Sequence, residues 1–268
     1  MSARVVLITG ASSGMGKVAA DLLHARGWKV YGTSRTVEAL SPKPAWVAVN
    51  VDVTDDAAVR SVLARIEKDE GRLDAVVNCA GYVLAGAVEE CSLEQLRAQL
   101  DTNYCGVANV CRLALPLMRK QGHGHLVNVS SLAAVIPMAF QAHYSASKAA
   151  LTAFTRALRL EVAPFGVRAV SIEPGDFSTG VTAARKFGRT PEESAYPALA
   201  RTMKIVHRDE TGASPPDEVA RLIARVLDTR KPAASYFVGQ VGQTLPAKLR
   251  AFLPGWLFDW VLTKLYDL

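Results

Sequence analysis

The stretch Val5–Gly16, "VVLITGASSGMG", sets a run of strand-forming residues against a cluster of small residues and glycines, and a helical pattern follows from Lys17 to Arg26. Two readings are open for "TGASSGMG" from Thr9 to Gly16. It is a tight turn between strand and helix, or a loop that holds a phosphate where the unpaired amides and positive dipole end of the helix face the anion. The glycines fall at Gly10, Gly14 and Gly16, not at G-x-G-x-x-G spacing, so these residues alone match a dinucleotide fingerprint only approximately.

Working outward, six more short apolar runs follow: "KVYGTS" at 29, "WVAVNVD" at 46, "LDAVVN" at 73, "GHLVNVS" at 124, "VRAVSI" at 167 and "SYFVG" at 235. Several lack clean alternation, which is the pattern of parallel strands buried on both faces. Helical stretches such as Ala57 to Lys68 lie between them, so the order is strand, helix, strand, and the expected fold is a doubly wound parallel seven-stranded α/β sheet with helices on both faces. "SLEQ" at Ser92 and "SPPD" at Ser214 match capping boxes. No linker or repeat divides the chain, which reads as one domain over 1–268. From about Asp176 to Ser214 the periodicity weakens among basic residues and Gly180, Gly188 and Gly212, as in a substrate loop.

With 268 residues, half of them hydrophobic, the chain can bury a large core. No run of 18 apolar residues is present and the first strand starts at once, so a cytoplasmic location is expected. Cys79, Cys91, Cys105 and Cys111 lack zinc spacing and read as reduced structural thiols, and no metal is expected. The formal charge of +6 comes from cations dispersed among acids, which argues against nucleic acid and suits an anionic small ligand.

Taken in order, "TGASSGMG" at 9, "NCAG" at 78, Asn103, "SS" at 130, "YSASK" at 144 and "PGDFST" at 174 resemble the classical short-chain dehydrogenase/reductase family over nearly the whole chain. Cys79 departs from the family, which usually has a second Asn there. The resemblance implies a Rossmann-type domain, NADP(H) or NAD(H) as cofactor, a small-molecule carbonyl or alcohol substrate and a homo-oligomer, dimer or tetramer. It makes Tyr144 the general acid, with Ser131 hydrogen-bonding the same substrate oxygen. Lys148 would bind the nicotinamide ribose, and Asn103 would hold a water on a proton relay. Ser130 is the competing serine and should point to the opposite side of its strand.

The residues themselves support a pairing of Tyr144 with Lys148, four apart on a helical pattern and hence on one face. A free tyrosine, with a pKa of about 10, exchanges protons poorly at neutral pH. An ammonium beside it that lowered the value by ~3 units, worth roughly 4 kcal/mol, would bring Tyr144 into the working range.

For the cofactor, the resemblance assigns Gly10, Ser12, Ser13, Gly14, Met15 and Gly16 to the pyrophosphate turn and Asp52 with Val53 to the adenine. It gives Asn78, Ala80 and Gly81 to the loop after the fourth strand, and Pro174, Gly175 and Thr179 to the nicotinamide. Asp52 has a second reading as a helix cap. Where NAD enzymes carry an acidic residue about 20 positions past the glycines, this chain has Ser34 and Arg35, and no carboxylate stands between them and Glu38, which favours the 2′-phosphate of NADP(H). Arg35 also reads as a solvated charge at a strand end.

Val83, Leu84, Val135, Ile136, Met138, Phe140, Phe177 and Phe187 are candidate walls of a lipophilic pocket, suited to a steroid, retinoid or aromatic ketone. The expected activity is interconversion of a carbonyl and a secondary alcohol. The alternatives are an epimerase or dehydratase on the same scaffold, or a non-catalytic NADP-binding regulatory protein. The apolar tail, about 246–268, is broken by Pro254 and Gly255. Its wide apolar arc needs cover from a pocket flap, a subunit interface or a membrane surface, and the sequence places the membrane last because the polar stripe is mainly acidic.

Overall fold

The computed structural model describes residues 3–37, 40, 42–179 and 184–268, so Glu38 and Gly180 lie outside the described residues. Its strands are β1 (Val5–Thr9), β2 (Lys29–Ser34), β3 (Val47–Asn50), β4 (Ala75–Asn78), β5 (Leu84–Ala85), β6 (Gly124–Val129), β7 (Val167–Pro174), β8 (Lys186–Phe187) and β9 (Ser235–Val238). Seven of them form one sheet in the order β3-β2-β1-β4-β6-β7-β9, every pair parallel, and all seven apolar runs of the sequence are among them. The short pair β5 and β8 forms a separate two-stranded sheet that the sequence does not announce.

The helices are α1 (Gly14–Ala25), α2 (Asp56–Glu70), α3 (Leu93–Leu100), α4 (Gly106–Gln121), α5 (Ala142–Val162), α6 (Pro197–Thr211), α7 (Asp217–Asp228), α8 (Val241–Leu249) and α9 (Gly255–Leu265). Alternate strand residues feed opposite layers, as the pleat requires. Val6, Ile8, Val77 and Val127 join Ala19, Leu23 and Ile223 in one core, while Val5, Leu7, Val76 and Leu126 join Ile66, Val110 and Leu151 in the other. Ile8 and Leu7 are fully buried, and removing such side chains from water contributes about 1.5–3 kcal/mol each.

Local chemistry sets the helix ends. Asp55 caps α2 by accepting from Ala57 N at 2.9 Å, and Gly71 ends it at φ 68°, a left-handed conformation that suits glycine. The capping box at Ser92 forms with Gln95. The one expected at Ser214 does not. Helix α7 starts after Pro216, with no side-chain cap, and the Ser214 carbonyl instead accepts from Ser178 N at 3.1 Å.

Strand order reverses between β1 and β4, and chain connections on either side of that point diverge to opposite faces of the sheet. The carboxyl ends of the strands there open a crevice, the place where doubly wound folds take ligands.

Candidate active site

The crevice is a cavity of about 690 Å3, lined from the ends of β1, β2, β3, β4, β6 and β7 and from α5. At its first wall the chain turns sharply out of β1. Gly10 has φ +66°, and a methyl group there would lie 2.8 Å from the Ala80 backbone; one on Gly16 would lie 2.3 Å from the Gly10 carbonyl oxygen. Backbone and helix therefore meet with no room for side chains. The first turn of α1 has no acidic residue and Ser13 makes no capping bond, so its amides stay available to an anion. Ser12, Ser13 and Met15 line the same wall. Gly14 does not line it, and packs against Thr179.

The second wall carries Ser34, Arg35, Asp52 and Val53. Asp52 accepts from Thr54 N at 2.9 Å and from Thr54 Oγ1 at 2.7 Å, while Asp55 takes the helix-capping role that was open for Asp52. Burial works against the Asp52 carboxylate, but those two bonds and the nearby Arg35 outweigh it and hold its pKa below the usual value. Arg35 is exposed to the cleft and makes no ion pair within 4.0 Å among the described residues.

Ala80 and Gly81 line the cleft after β4, whereas Asn78 does not. As the last residue of β4 it shares the face of Val76, is 1% exposed, and donates to Asn128 Oδ1 at 2.9 Å. Its place is inside the core, holding β4 to β6. Thr9, at the end of β1, ties this loop to that strand: its hydroxyl accepts from Cys79 N at 3.2 Å and Ala80 N at 3.3 Å.

The chemical end of the cleft is built by β6 and α5. Ser131 follows β6, and its side chain lines the cleft with Tyr144, near enough to favour the phenolate. Ser130 points away, donating to the Lys148 carbonyl at 3.0 Å and accepting from Thr152 Oγ1 at 2.9 Å. Lys148 is 7% exposed and donates from Nζ to the Val129 carbonyl at 2.9 Å. Burial pushes its pKa down to about 8. Its ammonium lies 5.8 Å from the centre of the Tyr144 ring.

That geometry corrects the expected electrostatics of Tyr144. Its pKa is raised, not lowered: burial is the largest cause, Glu210 and Asp176 add to it, and Ser131 and Arg185 only partly oppose it. Desolvation of a phenolate costs more here than the surrounding cations return.

Asn103 is fully buried in a π-helical turn, Asp101–Cys105, between α3 and α4. It does not line the cleft. Its amide grips the loop that does, accepting from Tyr82 N at 3.1 Å and donating to the Tyr82 carbonyl at 3.0 Å and Ser147 Oγ at 3.1 Å. Ser147 in turn donates to the Tyr144 carbonyl at 2.7 Å. Gln99, four residues before Asn103, makes a matching pair of bonds to Leu84 N and the Tyr82 carbonyl, both at 2.7 Å. Helical spacing of two buried amides was the signal for Gln99.

Pro174, Gly175 and Thr179 close the cleft beside Tyr82, Val83 and Lys186. Met138, Phe140 and Phe187 pack on Ala85 and α6 next to it. Phe177 does not belong with them, since it is 2% exposed within the main core.

The model of the short chain dehydrogenase family matches residues 4–189. The chain is 36% identical over 268 residues to a 3-ketodihydrosphingosine reductase of Bacteroides thetaiotaomicron, covering 99% of each protein. Among solved structures it is similar to a short-chain dehydrogenase from Streptomyces avermitilis, with a TM-score of 0.83 and 32% identity over 98% of both chains. It is also similar to the aldohexose dehydrogenase of Thermoplasma acidophilum, with a TM-score of 0.75 and 26% identity over 88% of this chain and 92% of that one.

Proposed function

The chain belongs to the short-chain dehydrogenase family of oxidoreductases, and from that premise we propose that it is an NADPH-dependent reductase of lipophilic ketones. One observation carries the reading: the Tyr144 hydroxyl, the Ser131 side chain and the buried Lys148 meet at one end of a cleft whose other end presents unpaired helix amides.

The nicotinamide cofactor of this family, when bound, supplies the hydride. The residues present suit it. Gly10, Ser12, Ser13 and the first turn of α1 would take the pyrophosphate, and Asp52 with Val53 the adenine end. Lys148 would take the nicotinamide ribose, with Pro174, Gly175 and Thr179 the amide. Ser34 and Arg35 would hold a 2′-phosphate, because a guanidinium with no ion-pair partner among the described residues is suited to a second anion.

Toward the substrate, Tyr144 donates its phenolic proton to the carbonyl oxygen as negative charge develops there, and Ser131 donates a hydrogen bond to the same oxygen. A phenol held protonated by burial suits a proton donor, so the raised pKa of Tyr144 agrees with reduction. The proton is replaced from the Lys148 side, where an ammonium near 8 exchanges readily at neutral pH. Gly81 leaves the passage open: a methyl group there would sit 3.0 Å from Asn103 Oδ1 and 3.7 Å from Lys148 Nζ.

Val83 at the cleft and the Met138, Phe140 and Phe187 cluster beside it support an apolar substrate. A relative named 3-ketodihydrosphingosine reductase supports testing long-chain keto lipids beside aromatic and steroid ketones. The test follows NADPH absorbance with that panel. Oxidation of NADPH matched by alcohol formation is expected, and Tyr144→Phe should lower kcat about 100-fold or more with cofactor binding retained. Turnover without net NADPH oxidation would point to an epimerase or dehydratase instead, and an unimpaired Phe variant would remove Tyr144 from the chemistry.

A further inference from the structure

Of the fourteen exposed large apolar side chains among the described residues, nine lie between Val241 and Leu268. Phe252 is 82% exposed, Trp256 73% and Trp260 58%, and Val261, Leu265 and Leu268 extend the same surface. A concentration of this kind marks an interaction site.

The face is held in place by the opposite side of the tail. Phe258 and Tyr266 are buried, the Arg250 guanidinium stacks 4.1 Å from the centre of the Phe258 ring, and Thr202 Oγ1 on α6 donates to the Tyr266 carbonyl at 3.0 Å. Its neighbour α8 reaches the mouth of the cleft, where Gln243 donates to Asp176 Oδ2 at 2.5 Å, directly after Pro174 and Gly175.

We infer that the tail seats this face on an anionic lipid surface, with the cleft mouth beside it. Indole rings combine an apolar body with a polar edge and favour the headgroup level of a bilayer. Lys248 and Lys264, both exposed, supply the basic complement in the same segment. Of its two acids, Asp267 is neutralised by Arg201 at 3.0 Å, which removes half of the acidic stripe that counted against a membrane in the sequence. Helix α9, 11 residues long, suits an in-plane position, and no helix among the described residues is long and apolar enough to cross a bilayer. Resting on the proposed activity, this docking places the cleft where a lipophilic ketone is concentrated.

The test uses the full chain with vesicles of phosphatidylcholine, with and without phosphatidylglycerol. Co-sedimentation should favour the anionic vesicles and weaken with salt. Tryptophan emission should shift to the blue on binding, a signal from Trp256 and Trp260, since Trp28 and Trp46 are already buried. The triple variant Phe252→Ser, Trp256→Ser, Trp260→Ser should bind vesicles more than tenfold more weakly, with its thermal unfolding and its reduction of a water-soluble ketone unchanged. Lys248→Glu with Lys264→Glu, which leaves the packing alone, should abolish the preference for phosphatidylglycerol. Absence of vesicle binding overturns the inference, as does light scattering in which the triple variant dissociates an oligomer but still sediments with vesicles. Vesicle binding without turnover of any ketone would leave the lipid seat standing and remove the proposed substrate class; turnover of ketones without vesicle binding would do the reverse.

Discussion

Asp176→Asn should stabilise the cofactor-free protein at neutral pH and leave it unchanged in acid. Asp176 lies at the mouth of the cleft. Burial raises its pKa from 3.8 to about 6, with Glu210 and then Asp209 adding to the effect, against the Gln243 hydrogen bond and Arg185. A carboxyl whose pKa is higher folded than unfolded binds more protons in the native state between those two values. Its contribution to stability is therefore complete below about 4 and is lost as pH rises through about 6. The difference of about 2 units corresponds to about 3 kcal/mol at pH 7 and above. Asn has nearly the same shape, can still accept from Gln243 Nε2, and carries no charge to desolvate. A gain of that size should raise Tm by about 5–10 °C for a chain of this length. The assay is thermal unfolding of both proteins from pH 4 to pH 8. The gain should grow through the interval near 6, and a destabilised variant at pH 8, or a gain equal at both ends, would refute the argument. Because Asp176 also raises the Tyr144 pKa, the alkaline limb of any pH–rate profile should move to lower pH in the same variant.

Arg35→Asp should raise the KM for NADPH by roughly 10- to 100-fold, the range of a lost charge-assisted contact, and affect NADH far less; equal wild-type use of the two cofactors in steady-state kinetics would end the proposed role of Arg35. Gly16→Ala puts a methyl group 2.3 Å from the Gly10 carbonyl oxygen and should cost about 1–3 kcal/mol in denaturant unfolding while weakening nucleotide binding. Gly242→Ala, with nothing within 4 Å of the added group, is the control, and matching losses in both would show that the close approach at Gly16 is not the cause.

The sheet was legible in the sequence because parallel strands buried on both faces must be apolar throughout, and each of the seven runs is bounded by a helix-forming pattern or a turn. The Tyr144 and Lys148 pairing was equally legible, since helical spacing alone puts residues four apart on one face. Strands β5 and β8, two residues each, are too short to leave a period. The inward direction of Asn78 follows from strand parity, but its partners Asn128 and Cys111 come from 50 and 33 residues away. The π-helical turn that aims Asn103 at the Tyr82 loop adds no residue type that marks it. The protonation state of Tyr144 was beyond local reading altogether, because it is set by burial and by Asp176, Arg185 and Glu210, which are distant in sequence and act on it only through the tertiary fold. The tail shows the same division: its composition declared an apolar arc, but only tertiary contacts, Thr202 of α6 on Tyr266 and Arg250 on Phe258, decided which rings turn inward and leave Trp256 and Trp260 to solvent. Sequence period specifies which side chains share a face, whereas the field and the neighbours that each face meets are properties of contacts between distant segments.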